Sequence, residues 1–107
     1  MQVTFEIMVS RDELKQLRKT ANALEPVIRL GKNGVNDNII NEIDILLKKR
    51  EMIKIKMLGS FIDQFDDEKT AHDIASRTKS HIVLKTGYVF VLFRKSNLVS
   101  KIKNNKR

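Results

Sequence analysis

The chain has 107 residues, enough for one domain with a single modest core. It contains no cysteine, which excludes a disulfide framework and a thiolate metal site and fits a reducing compartment, and its net charge is +8. No apolar run approaches the roughly 18 residues of a membrane span, and the N-terminal stretch holds Glu6 and no basic cluster, unlike a signal peptide; the expectation is a cytoplasmic protein with a polyanionic partner and no membrane role.

Residues 1–9 read as an N-terminal extension, in which Met8 could be an internal start. Ser10-Arg11-Asp12-Glu13 has the capping-box pattern and predicts a helix over residues 10–23. Leu14, Leu17, Ala21 and Leu24 recur at helical spacing as its core stripe. Arg11, Lys15, Arg18 and Lys19 form a cationic flank, which taken alone is an ordinary solvated face. Pro26 stops the helix, and residues 27–30 read as a short strand.

After Gly31-Lys32-Asn33-Gly34, Asn36 or Asp37 can cap a second helix over residues 36–49, with Ile39, Ile43, Leu46 and Leu47 inward. Lys48, Lys49 and Arg50 suit the negative end of its dipole. Residues 51–58 alternate, with Ile53, Ile55 and Met57 on one side and Lys54 and Lys56 on the other, as in a strand with one wet face. Residues 59–66 read as a loop whose Phe61, Ile62 and Phe65 tuck onto the core. Asp66, Asp67 and Glu68 open a third helix over residues 67–79, with Ala71, Ile74 and Ala75 inward. Residues 81–85 and 88–94 form two strands joined by a tight Thr86-Gly87 hairpin, and the near-continuous apolar run of the second places it inside the sheet.

The last segment is the most basic. Six of the 21 cations lie in residues 94–107 with no acid among them, which leaves 15 cations against 13 acids in the first 93 residues. Residues 96–107 read as a solvated basic tail of the kind that adds nonspecific affinity for nucleic acid.

The order α-β-α-β-α-β-β predicts a two-layer α/β sandwich with a mixed four-stranded sheet, since strand–helix–strand units favour parallel pairing and the final hairpin is antiparallel. If the helices cover one sheet face, alternation puts Arg29, Lys54, Lys56 and Lys85 on the other. The glycine loop would lie at one edge of that cationic face. A glycine-flanked tip between strand and helix can offer backbone N–H groups to an anion, and Lys32 adds a mobile cation. Alone, the motif reads more simply as a turn with glycines at positive φ.

The composite pattern is more specific. The run L-E-P-V-I-R-L-G-K-N-G-V, the helix N-E-I-D-I-L-L-K-K-R-E, the strand M-I-K-I-K-M and the hairpin T-G-Y-V-F-V-L-F-R-K occur in unbroken order. Together, over residues 10–95, they resemble the CRM domain, or YhbY-like family. The resemblance implies an RNA-binding domain similar in fold to the C-terminal domain of bacterial translation initiation factor three. Single-domain members are associated with ribosomes and ribosome maturation, and multi-domain plant relatives with organellar intron splicing. The implied partner is therefore ribosomal RNA or pre-ribosomal particles. The family's G-x-x-G loop falls on Gly31, Lys32, Asn33 and Gly34, and the resemblance implies contact with RNA backbone there. Lys54 and Lys56 match the lysines of the family's second strand. Residues 1–9, the 59–66 loop and the tail depart from the pattern and inherit no role.

The candidate RNA-contact set is Gly31, Lys32, Asn33 and Gly34 at phosphate and Arg29, Lys54 and Lys56 across the sheet. Lys15, Arg18 and Lys19 on the first helix and Arg94 and Lys95 at the head of the tail add long-range attraction. Aromatics are only 6%, and Tyr88 is the one candidate for base stacking. The competing readings fare worse. In a KH domain the G-x-x-G joins two helices, a Walker A loop needs G-x-x-x-x-G-K-[ST], and the dinucleotide fingerprint needs a third glycine. An Alba-like DNA-coating chromatin protein is the main alternative, but it carries a long hairpin arm where this chain has Thr86-Gly87. Asp63, Asp66, Asp67, Glu68 and Asp73 could hold Mg²⁺ for phosphoryl chemistry, and more simply cap the third helix. His72 and His81 have no partner at a recognised catalytic spacing. The expectation is a monomeric, noncatalytic protein with no metal, cofactor or small-molecule substrate.

Overall fold

A computed structural model describes residues 10–94. The N-terminal extension with Met8, the cation Lys95 and the basic tail lie outside the described residues.

Helix α1 (Arg11–Ala23) opens with the expected capping box: Glu13 N–H donates to Ser10 Oγ, and Ser10 N–H to the Glu13 carboxylate. Strand β1 (Pro26–Leu30) leads through the glycine loop into α2 (Asp37–Arg50), capped by Asn36, whose side chain accepts from Ile39 N–H. Strand β2 (Met52–Met57) follows directly, because Glu51 turns the chain in a left-handed conformation, φ 66°. The stretch expected as a loop contains a one-turn helix, α3 (Gly59–Ile62). Helix α4 (Asp67–Arg77) is capped by Asp66 and ends two residues earlier than its composition suggests. Lys79 adopts φ 55° and the Ser80 and Lys79 amides donate to Ala75 and Ser76, a Schellman closure without glycine. The β3 (His81–Thr86) and β4 (Val89–Phe93) hairpin completes the fold.

The sheet order is β1-β2-β4-β3, with β1 and β2 parallel and the other pairs antiparallel. The apolar β4 does lie inside the sheet, between β2 and β3, as its lack of polar positions requires. On one face Ile53, Ile55, Phe90 and Leu92 pack against Ile43 and Leu47 of α2 and Ala71 and Ile74 of α4. The arrangement is the expected α/β sandwich with a mixed four-stranded sheet, but the helices do not all cover one face as the two-layer reading assumes. Helix α1 lies on the second face, where Ala21, Leu14, Leu17 and Leu24 cover Val83, Val91, Phe93 and Met52. That face is therefore open only toward the end of the sheet where β1 and β2 terminate.

Candidate nucleic-acid interface

Strand register decides which cations share a surface. Arg29 pairs with Lys56 across β1 and β2, Lys56 with Val89, and Val89 with Thr86. This row crosses the second face beyond the reach of α1, and Arg29, Lys56 and Thr86 are exposed. Lys54 occupies the next row, half-buried, with its Nζ 3.4 Å from the carbonyl of Asn22 near the end of α1. Lys15 and Lys19 are exposed on α1. Arg18 is tied to the sheet, its Nε donating to Val83 O over 3.1 Å.

The glycine loop stands at the same end of the sheet. Residues 31–34 form a hydrogen-bonded turn in which Gly34 N–H donates to Gly31 O at 3.0 Å. Lys32 and Asn33 are exposed at its tip, and their N–H groups donate to no backbone acceptor among the described residues. The two glycines differ. Gly34 has φ 71°, and a Cβ there would lie 2.9 Å from the Cζ of Phe65. Gly31 has no positive φ, and its nearest neighbour to an added Cβ is Ser60 Oγ at 3.6 Å. Gly34 therefore serves the turn and its packing, and its N–H is engaged within the turn. The first turn of α2 is partly complemented by the Asn36 cap on Ile39 N–H and by the Asp37 charge, and the exposed tip adds the amides of Lys32 and Asn33 as donors on offer to an anion.

Two expected contacts belong elsewhere. Arg94 is a structural residue: its side chain is only 10% exposed, and Nη1 donates to Asp44 Oδ1 at 2.7 Å and Thr78 O at 2.8 Å. Nη2 donates to Asp44 O at 3.0 Å. The Arg94 hydrogen bond, against some desolvation, holds the Asp44 carboxyl below the usual carboxylate range. Lys85 is not on the cationic face. A bulge between Ile82 and Leu84 shifts the alternation by one, so Lys85 points to the α4 side. There it is 17% exposed and bonds Asp67 Oδ2 at 2.7 Å, with Glu68 at 3.8 Å, and it holds the Asp67 carboxyl low.

Four of the five acids considered for Mg²⁺ are otherwise engaged, all but Asp63. Asp66 caps α4, Asp67 and Glu68 hold Lys85, and Asp73 pairs with Arg77 at 3.5 Å. Tyr88 is half exposed, but it opens onto a cleft lined by Asp67 and Glu68, a poor setting for phosphate. The aromatic that does neighbour the loop is Phe65, 40% exposed rather than tucked into the core. Its one sequence signal is its place between Gln64 and Asp66, which interrupts any apolar run. The β3–β4 link is a tight turn at Gly87-Tyr88, with no extended arm.

A family model for the CRS1/YhbY (CRM) domain matches residues 9–94. The chain belongs to the CRM domain family. This CRM domain is 33% identical over 89 residues to the Probable RNA-binding protein YqeI of Bacillus subtilis, covering 83% of this chain and 91% of that protein. It is 32% identical over 88 residues to an RNA-binding protein of Haemophilus influenzae, covering 82% and 87%. The solution structure of the hypothetical protein SAV1595 from Staphylococcus aureus is similar to this CRM domain with a TM-score of 0.64 and 31% identity, over 80% of this chain and 88% of that one.

Proposed function

We propose that this CRM domain is a noncatalytic, monomeric, cytoplasmic RNA-binding protein that engages ribosomal RNA or pre-ribosomal particles during ribosome maturation. The observation that carries the proposal is the loop tip, where two undonated amides and Lys32 stand at the same sheet end as the Arg29–Lys56 pair. Amides and a flexible ammonium suit phosphate oxygens, and the flanking cations extend the contact along a strand. Such contacts supply affinity and register, while RNA shape and single-stranded elements supply specificity. Lys54, Lys15 and Lys19 widen the positive field on the same face. The relatives named for RNA binding support RNA as the partner class.

The deciding experiment is a titration of ribosomal RNA, and of duplex DNA of matched length, with the wild type and with Lys32→Asp/Asn33→Asp. Circular dichroism on both chains controls for the fold, which these exposed positions leave intact. RNA affinity should fall about tenfold or more when charge is reversed at one or two phosphate contacts. Unchanged RNA affinity would reduce the loop to a turn, and a preference for duplex DNA would favour a DNA-coating role.

A further inference from the structure

We infer that the cleft between the glycine loop and α4 holds one nucleobase of the bound strand, stacked on Phe65. The inference rests on the reading that the loop takes RNA phosphate, and it adds where the base of that strand goes.

Phe65 is the exception among the described phenylalanines. Phe61, Phe90 and Phe93 are buried, whereas Phe65 leaves 40% of its surface in water. It is nonetheless held in place. Its ring stacks on that of Phe61 with centroids 4.7 Å apart and 26° between planes. Its para end abuts Gly34, with no room for a Cβ between them. A ring fixed on one face and at one edge, and otherwise open, is a pre-organised stacking platform.

The space beside it has a volume of about 350 Å³. Val35, Phe61 and Phe65 form its apolar lining, and Lys69, Asp73 and Arg77 stand around them. The volume is at the small end for a ligand pocket, too small for a helix and wide enough for a planar heterocycle. Its polar groups carry both signs: Lys69 can donate, and Asp73 and Arg77, although paired with each other at 3.5 Å, keep 58% and 42% of their side chains exposed and so retain positions to accept from and donate to a base edge. Base edges also present donors and acceptors side by side, whereas a phosphate would meet repulsion from Asp73. Position favours the same occupant. Gly34 closes the turn that exposes the Lys32 and Asn33 amides and also supports the ring, so phosphate and base of one nucleotide can reach both.

The test uses the full chain and a single-stranded oligoribonucleotide, with and without an abasic site replacing one nucleotide at successive positions. Phe65→Leu keeps an apolar contact on Phe61 but removes the flat ring. It should weaken binding of the intact strand about five- to a hundredfold, and should have no effect on the strand abasic at the stacked position. In the wild type, the Phe65 ring protons should move upfield on binding the intact strand and not the abasic one. Phe65→Leu binding within twofold of wild type, while Lys32→Asp/Asn33→Asp still loses affinity, would overturn the base site and leave the loop reading standing. Wild-type binding by Lys32→Asp/Asn33→Asp would remove the loop reading, and the base site with it. Should Phe65→Leu fail to fold, the wild-type spectra decide: unmoved Phe65 ring signals overturn the inference.

Discussion

At the scale of single residues, identical letters take different work from their surroundings. Gly31 and Gly34 read alike in the motif, yet only Gly34 has a left-handed backbone and a ring against its Cα. Gly34→Ala should therefore destabilise the fold by about 1–3 kcal/mol, combining αL strain with displacement of Phe65. Gly31→Ala should stay within about 0.5 kcal/mol of wild type in the same denaturant melts. If RNA backbone approaches Gly31 closely, that stable variant will still bind ribosomal RNA more weakly; a Gly34→Ala melt equal to wild type would refute the packing role. Lys85 makes the same point through charge. A lysine paired to Asp67 and Glu68 offers little to an anion, however basic the chain.

At the scale of elements, the end of β4 is held by a polar junction rather than left free for ligand. Arg94 joins α2 through Asp44 and the end of α4 through Thr78, whose hydroxyl donates to Ile74 O at 2.8 Å and lies 2.8 Å from Ser80 Oγ. The Arg94 backbone N–H also donates to Glu51 O, tying the left-handed corner between α2 and β2. Removing the guanidinium leaves a buried carbonyl and a partly buried carboxylate without their partner. Arg94→Ala should cost about 2–3 kcal/mol, read by urea denaturation, and Arg94→Lys should restore little because one ammonium cannot span three acceptors. RNA affinity of the folded variant should be unchanged, and a selective loss of RNA affinity without destabilisation would return Arg94 to the interface. Helix α1 is the other element whose role depends on its neighbours. By covering β3 and β4 it confines the accessible part of its face to the end carrying Arg29 and Lys56.

At the scale of the whole molecule, Arg29 and Lys56 are exposed on the α1 face of the sheet with the loop at its end, while Asp67 and Glu68 lie with α4 on the opposite face, paired to Lys85. Binding dominated by the α1 face and the loop should release counterions. The logarithm of the RNA association constant should fall linearly with the logarithm of salt concentration, with a slope of about −3 to −5 for several phosphate contacts. A nearly flat dependence, measured by titration across a salt series, would exclude a backbone-dominated mode.

Local information was enough for most of the architecture. The capping box of α1, the core stripes of α1, α2 and α4, the wet alternation of β2 and the interior position of β4 each follow from hydrophobic spacing, which reports burial directly. The glycine loop was legible as a motif, and alternation along β1 and β2 placed Arg29 and Lys56 on one face, while their pairing came from the register of the two strands. What no local pattern carries is the identity of a side chain's partner. The bulge that turns Lys85 toward α4, the crossing of α1 over the second face, the enclosure of Arg94 by Asp44 and Thr78, and the meeting of Phe65 with Gly34 join residues far apart in the chain. Hydrophobic period sets which face is buried, but only tertiary packing decides which polar and aromatic groups remain for a ligand.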